Sequence, residues 1–162
     1  MALEELFTDS AEKTIELGRA VASRLPSRAL VLLRGDLGSG KTTLAKGLIA
    51  GLGAAREEDV TSPTFTLVHV FGDPEPAQDG AKAKVYHADL YRIEGEHDLA
   101  SIGLEDALAE AGACVVIVEW SERLTLRSDW PTVRIELQHA GEDRRRITLA
   151  GLPPIRANCS QQ

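Results

Sequence analysis

The chain has 162 residues, about the size of one ordinary domain, and at that length roughly two-thirds of the unfolded surface is buried on folding. Hydrophobic residues make up 43% and charged residues 27%, a globular balance that excludes wholesale disorder. Eighteen Lys and Arg against 25 Asp and Glu leave a net charge of −7, which argues against unaided nucleic-acid binding, since that affinity comes mainly from Lys and Arg.

In chain order, Met1-Ala2-Leu3-Glu4-Glu5 is acidic where a secretion signal would be basic and then apolar. Leu3 to Thr8 reads as a short edge strand, and Asp9 or Ser10 is placed to cap a helix with Glu12 near its positive end. Ala11, Ile15, Gly18, Ala22 and Leu25 recur at steps of three and four, giving that helix one small or apolar face, with Pro26 as its stop. Ala29 to Leu33 is a continuous apolar run, the pattern of a strand covered on both faces. After a glycine-rich loop, Leu44, Ala45, Leu48, Ile49 and Leu52 form a helical stripe over Lys41 to Leu52, which ends at Gly53.

Phe65 to Phe71 and Lys84 to Leu90 read as strands, joined through a polar, turn-rich segment from Gly72 to Gly80. His97 to Ala111 predicts one or two short helices broken near Gly103, and Cys114 to Val118 a second fully buried strand. Val133, Ile135 and Leu137 alternate with polar residues, as do Ile147 and Leu149. His139 to Asp143 between them makes the pair an antiparallel hairpin. Residues 1–152 are expected to form one domain, with 153–162 a flexible tail. Cys114 and Cys159 have neither metal spacing nor a disulfide framework, and no apolar run is long enough for a bilayer, which suits a cytoplasmic protein with no membrane partner.

Gly35-Asp36-Leu37-Gly38-Ser39-Gly40-Lys41-Thr42 matches G-x-x-x-x-G-K-[ST] at every fixed position and lies between a predicted strand and a predicted helix. Its glycines let successive N–H groups turn inward on a polyphosphate, and the helix behind adds a positive end of about half a charge. The motif places Asp36, Leu37, Gly38, Ser39, Gly40, Lys41, Thr42 and Thr43 around the phosphates, with Lys41 bridging them and the Thr42 hydroxyl on Mg²⁺. The fold expected is therefore α/β of the P-loop NTPase type: a mainly parallel central sheet covered by helices, extended by antiparallel strands including the C-terminal hairpin.

A bound Mg²⁺ needs a second protein oxygen, and two strand-end acids offer one: Glu119, directly after the Val115–Val118 run, and Asp89 in His87-Ala88-Asp89-Leu90. Glu119 has the more apolar flank, which leaves Asp89 to orient or activate a water. Thr61 to Thr66 reads either as a γ-phosphate-sensing switch or as a Ser-Pro turn before a strand. Trp120 is either a site aromatic or a core residue at a strand end. Arg144-Arg145-Arg146 reads as a solvated hairpin edge, with one arginine reaching a phosphate or a partner as the alternative. The four histidines lack metal spacing and read as ordinary.

Together, Gly35 to Thr43, Ser-Pro-Thr-Phe-Thr-Leu-Val at 62–68, His-Ala-Asp-Leu-Tyr-Arg at 87–92 and Val-Glu-Trp at 118–120 resemble the bacterial TsaE (YjeE) family. The resemblance implies a small ATPase needed to make N6-threonylcarbamoyladenosine in tRNA. It would work at the interface of TsaD and TsaB, meet tRNA only through them, and hydrolyse ATP to reset the complex. On that resemblance Lys41, Asp89 and Glu119 are catalytic, Thr42 and Glu119 hold Mg²⁺, Trp120 lies beside the nucleotide, and Thr8 to Ala11 lies near the adenine. A small-molecule kinase would need an acceptor pocket and usually an arginine-bearing lid, whereas the arginine cluster here sits in the predicted hairpin and no lid-like helical insert is evident. A GTPase would need Asn-Lys-x-Asp, whereas Asn158 is the chain's single asparagine. A scaffold with a vestigial site need not keep Lys41, Thr42 and a strand-end Glu together.

Overall fold

The computed structural model describes residues 3–63, 67–72, 84–93, 107–108, 114–123 and 129–153. The Gly72 to Gly80 segment beyond Gly72, the His97 to Ala111 segment apart from Ala107 and Leu108, and Ile155 to Gln162 lie outside them. The ordered elements are β1 (Glu4–Thr8), α1 (Ala11–Ala22), β2 (Arg28–Arg34), α2 (Lys41–Gly51), β3 (Val68–Phe71), β4 (Lys84–Asp89), β5 (Cys114–Glu119), β6 (Thr132–His139) and β7 (Arg145–Ala150). Single 3₁₀ turns occupy Glu57–Asp59 and Ser121–Arg123.

Among the described residues seven strands join one sheet in the order β1-β7-β6-β2-β5-β4-β3. β6, β2, β5 and β4 run parallel, while β7 on one side and β3 on the other pair antiparallel, with β1 added beyond β7. This is the expected α/β fold, with one refinement. The first strand of the C-terminal hairpin is itself a parallel neighbour of β2, in register Val31 with Val133 and Leu33 with Ile135. Its strict alternation, with Val133, Ile135 and Leu137 buried between exposed Arg134, Glu136 and Gln138, reflects one covered face rather than two.

Alternation along the strands divides the interior. Val31 and Leu33 of β2, and Val115 and Ile117 of β5, pack with Leu44, Leu48 and Ile49 of α2 and Val21 of α1. Leu30, Val116 and Val118 point the other way, into a cluster with Ala88, Leu90, Ala107 and Trp130. Both central strands are therefore buried on both faces, which is why they read as unbroken apolar runs.

Ser10 caps α1, its hydroxyl accepting from the Lys13 N–H at 3.1 Å. The buried face of α1 is Thr14, Gly18, Val21 and Ala22, with Ala11 exposed. The helix ends at Ala22 with Ser23 as its C-cap, before Pro26 is reached. Gly18, Gly47 and Gly51 let α1 and α2 touch backbone to backbone: a Cβ on Gly18 would lie 2.5 Å from the Leu44 carbonyl oxygen. β3 is Val68–Phe71; Phe65 and Thr66, where the expected strand opens, lie outside the described residues, and Leu67 before it has a left-handed φ of 71°.

Candidate functional site at the phosphate loop

The loop between β2 and α2 turns through left-handed backbone at Gly38 (φ 77°) and Gly40 (φ 103°), and Gly40 is the N-cap of α2. Ser39 N–H donates to the Asp36 carbonyl at 3.0 Å and closes the turn. Lys41, the first residue of α2, is only 5% exposed. Its Nζ donates to the carbonyls of Gly35 (2.5 Å) and Asp36 (2.9 Å) and lies 3.9 Å from the centre of the Trp120 ring. Among the described residues it forms no ion pair. Burial pulls its pKa below the ordinary lysine value, opposed by the fields of Glu119, Glu122, Asp89 and Asp36. An ammonium held by carbonyl dipoles and a ring face is ready to exchange them for an anion.

The acids arrive by strand register. On β4, Val85 faces the α2 side, so the two-residue period brings His87 and Asp89 to that same side. On β5, Ile117 does the same for Glu119. Asp89 pairs with Glu119 across the β4–β5 ladder, and Leu33 pairs with Glu119 across β2–β5, so both acids sit at the C-terminal strand ends beside the loop.

Both acids are buried and both are satisfied. Thr42 Oγ1 donates to Glu119 Oε1 at 2.9 Å, and His87 Nε2 lies 2.5 Å from Glu119 Oε2. Asp89 accepts from Ser62 Oγ at 3.1 Å on Oδ2 and from the Tyr91 N–H at 2.8 Å on Oδ1. Among the described residues no cluster of three or more His, Cys, Asp or Glu is arranged to hold a metal alone. A hydroxyl and a carboxylate converging at the loop do fit Mg²⁺, which takes few protein oxygens and completes its shell with phosphates and water.

Trp120 adopts a left-handed φ of 60°, costly for a bulky residue, and its ring packs 4.9 Å from that of Tyr91. It lines a cavity of about 300 Å³ together with Gly38, Gly40, Lys41, Thr42, Ser62, Asp89 and Glu119. Asp36 turns its carbonyl to Lys41, Leu37 is 77% exposed at the loop crest, and Ser39 is buried. A second cavity, about 320 Å³, is lined by Ser10, Ala11, Glu12, Thr14 and Asp143 and shares Gly40, Thr43 and Arg145 with the first. Of the Thr8–Ala11 segment, Ser10 and Ala11 line it, whereas the Thr8 hydroxyl is turned to Thr14 Oγ1 at 2.8 Å. A third cavity, about 400 Å³, is lined by Leu32, Arg34, Arg134 and Glu136 of the sheet together with Ser121 and Glu122, which follow Glu119 and Trp120 in the chain.

The model of the family described as "Threonylcarbamoyl adenosine biosynthesis protein TsaE" matches residues 8–147. The chain belongs to the TsaE family. Among its relatives, a Treponema pallidum protein named tRNA threonylcarbamoyladenosine biosynthesis protein TsaE is 36% identical over 141 residues, covering 87% of this chain and 96% of its own. An Aquifex aeolicus protein of the same name is 32% identical over 148 residues, covering 91% and 96%. The crystal structure of Bacillus subtilis YdiB superposes with a TM-score of 0.62 at 26% identity, covering 94% of this chain and 87% of that one.

Within this TsaE-family chain, the structure brings Lys41, Thr42, Asp89, Glu119, Ser62 and Trp120 to one cavity. His87 carries no role in the sequence expectation, and of the three arginines at 144–146 the one that reaches the loop is Arg145. His87 is not an ordinary histidine: it is fully buried on the Glu119 carboxylate. The signal was available, since His87 stands two residues before Asp89 and strand alternation puts both on one face. Arg145 reaches back to the phosphate loop from the hairpin, through a pairing that a sequence cannot display. No helix among the described residues is long and apolar enough to cross a membrane.

Proposed function

We propose that the chain is a Mg²⁺-dependent ATPase serving threonylcarbamoyladenosine formation in tRNA. It acts with TsaD and TsaB, and its hydrolysis resets their complex between rounds. The observation that carries this reading is the convergence of Lys41, Thr42, Asp89 and Glu119 on the cavity at the C-terminal strand ends, in a chain of the TsaE family. The amides of residues 36–43 and the start of α2 cradle the triphosphate. Lys41 leaves the Gly35 and Asp36 carbonyls for the β- and γ-phosphates. Thr42 and Glu119 hold Mg²⁺, which supplies neutralising charge on the phosphates.

Asp89, buried beside Glu119 and steadied by Ser62, orients the water that attacks the γ-phosphorus, and the bond to the bridging oxygen breaks to give ADP and phosphate. A chain of net charge −7 leaves tRNA contact to its partners and works in the cytoplasm. ATP turnover measured with and without purified TsaD and TsaB tests the reading. Hydrolysis stimulated by the pair is expected. Phosphoryl transfer to a small acceptor in their absence would replace the reading with a kinase.

A further inference from the structure

The three consecutive arginines before and within β7 have three different surroundings. The Arg144 guanidinium lies 4.4 Å from the Phe7 ring, and Arg146 Nη2 donates to Glu5 Oε2 at 2.7 Å. Strand alternation sends Arg145 to the opposite face, toward the helices and the phosphate loop. There Nε donates to the Ser39 carbonyl at 3.1 Å and Nη2 to the Gly38 carbonyl at 3.4 Å. Nη1 donates to the carbonyls of Glu142 and Arg144, both at 3.2 Å. Every acceptor is a main-chain oxygen. Among the described residues Arg145 has no ion pair, although the chain carries an excess of acids.

Two consequences follow. A peptide unit is planar, so holding the Ser39 carbonyl also fixes the plane of the Gly40 N–H, and holding the Gly38 carbonyl fixes that of Ser39. Second, a guanidinium that forms no ion pair among the described residues borders both cavities, on the seam where they share Gly40 and Thr43.

We infer that Arg145 is a nucleotide-binding residue: it clamps the crest of the phosphate loop from the C-terminal hairpin and lends its charge to a nucleoside polyphosphate lying across the seam. The inference rests on the nucleotide-binding reading of this site and extends it to an element outside every motif. Because the clamped peptides precede Lys41, the effect falls on the phosphates that ADP and ATP share. Lysine keeps the charge but cannot span two carbonyls with a rigid fork.

Calorimetric titration of ATP and of ADP into wild type, R145A, R145K and R144A at one ionic strength tests it. R145A is expected to weaken both nucleotides by about tenfold or more, as loss of a charge-assisted contact does. R145K should recover part of that loss, and R144A should bind within about twofold of wild type. R145A with wild-type affinity for both nucleotides overturns the inference. So does an equal loss in R144A and R145A accompanied by an equal fall in melting temperature, which would mean a damaged hairpin. A wild-type chain that binds neither nucleotide overturns the nucleotide reading itself, and this inference with it.

Discussion

His87 Nε2 lies 2.5 Å from Glu119 Oε2, with both side chains shut away from solvent. The other carboxylate oxygen receives the Thr42 hydroxyl, so His87 and Thr42 divide the two oxygens of Glu119 between them. The histidine thereby decides which oxygen of Glu119 faces the loop. Replacing it with phenylalanine fills the space but leaves a buried carboxylate oxygen without a donor, at a cost of about 1–3 kcal/mol. We expect H87F to melt several degrees below wild type and to need more Mg²⁺ for half-maximal turnover. H87N, which keeps a donor, should recover part of the Mg²⁺ dependence. A Mg²⁺ titration of H87F that overlays the wild type would remove His87 from the site.

Asp89 and Glu119 face each other across the β4–β5 ladder but are bonded differently, Asp89 to Ser62 and Glu119 to Thr42. Under the proposed function this asymmetry gives them different work. D89N should lower turnover by about 10²–10⁴-fold, the usual scale for a lost general base, while ATP affinity stays within a few-fold. S62A, which removes one neutral donor, should cost about 2- to 12-fold in rate, equivalent to roughly 0.5–1.5 kcal/mol. Single-turnover rates beside calorimetric affinities separate the two effects. A D89N chain with full turnover would transfer the water-orienting role to Glu119.

Much of this site was legible before any coordinates, for physical reasons. The phosphate loop is local: its glycines, lysine and threonine are contiguous, and the strand before and helix after it have clear hydrophobic periods. The strand-end acids were legible because buried parallel strands read as apolar runs and their next polar residue stands out. The contacts of His87 and Arg145 were not. His87 interacts diagonally across a ladder whose register depends on the whole sheet, and Arg145 lies 106 positions from the loop residue it holds. The left-handed turn at Leu67 was not legible either, because it is held by a local bond from its N–H to the Pro63 carbonyl and a long-range one from the Asp89 N–H to its own carbonyl.

Lys41 and Trp120 form a second coupled pair, with Nζ 3.9 Å from the ring centre. A polyphosphate that takes the ammonium removes a cation from the indole face and changes its emission. The chain has two tryptophans, so W130F leaves Trp120 as the only reporter. Adding ADP to W130F should give a saturable change in intensity or wavelength, and the same titration of W130F/K41A should give none. If calorimetry shows W130F saturated while its emission is unmoved, the lysine has not left the ring.

The last relationship is steric. Gly47 of α2 meets Gly18 of α1, and a Cβ at Gly47 would run into the Ile15 carbonyl oxygen and lie 2.9 Å from Gly18 Cα. At an exposed helical position glycine-to-alanine gains about 1 kcal/mol from propensity. Here the obstacle is main chain, which cannot swing aside, so G47A forces the helices apart. The net result should be a loss of about 1–3 kcal/mol, the scale of an overpacked interior, read by urea denaturation. Because α2 begins at Lys41, the displacement also reaches the phosphate loop, and ATP affinity should fall with stability. A stabilised G47A with unchanged affinity would show that the helix pair is free to separate, and that the loop is not braced from behind by α1.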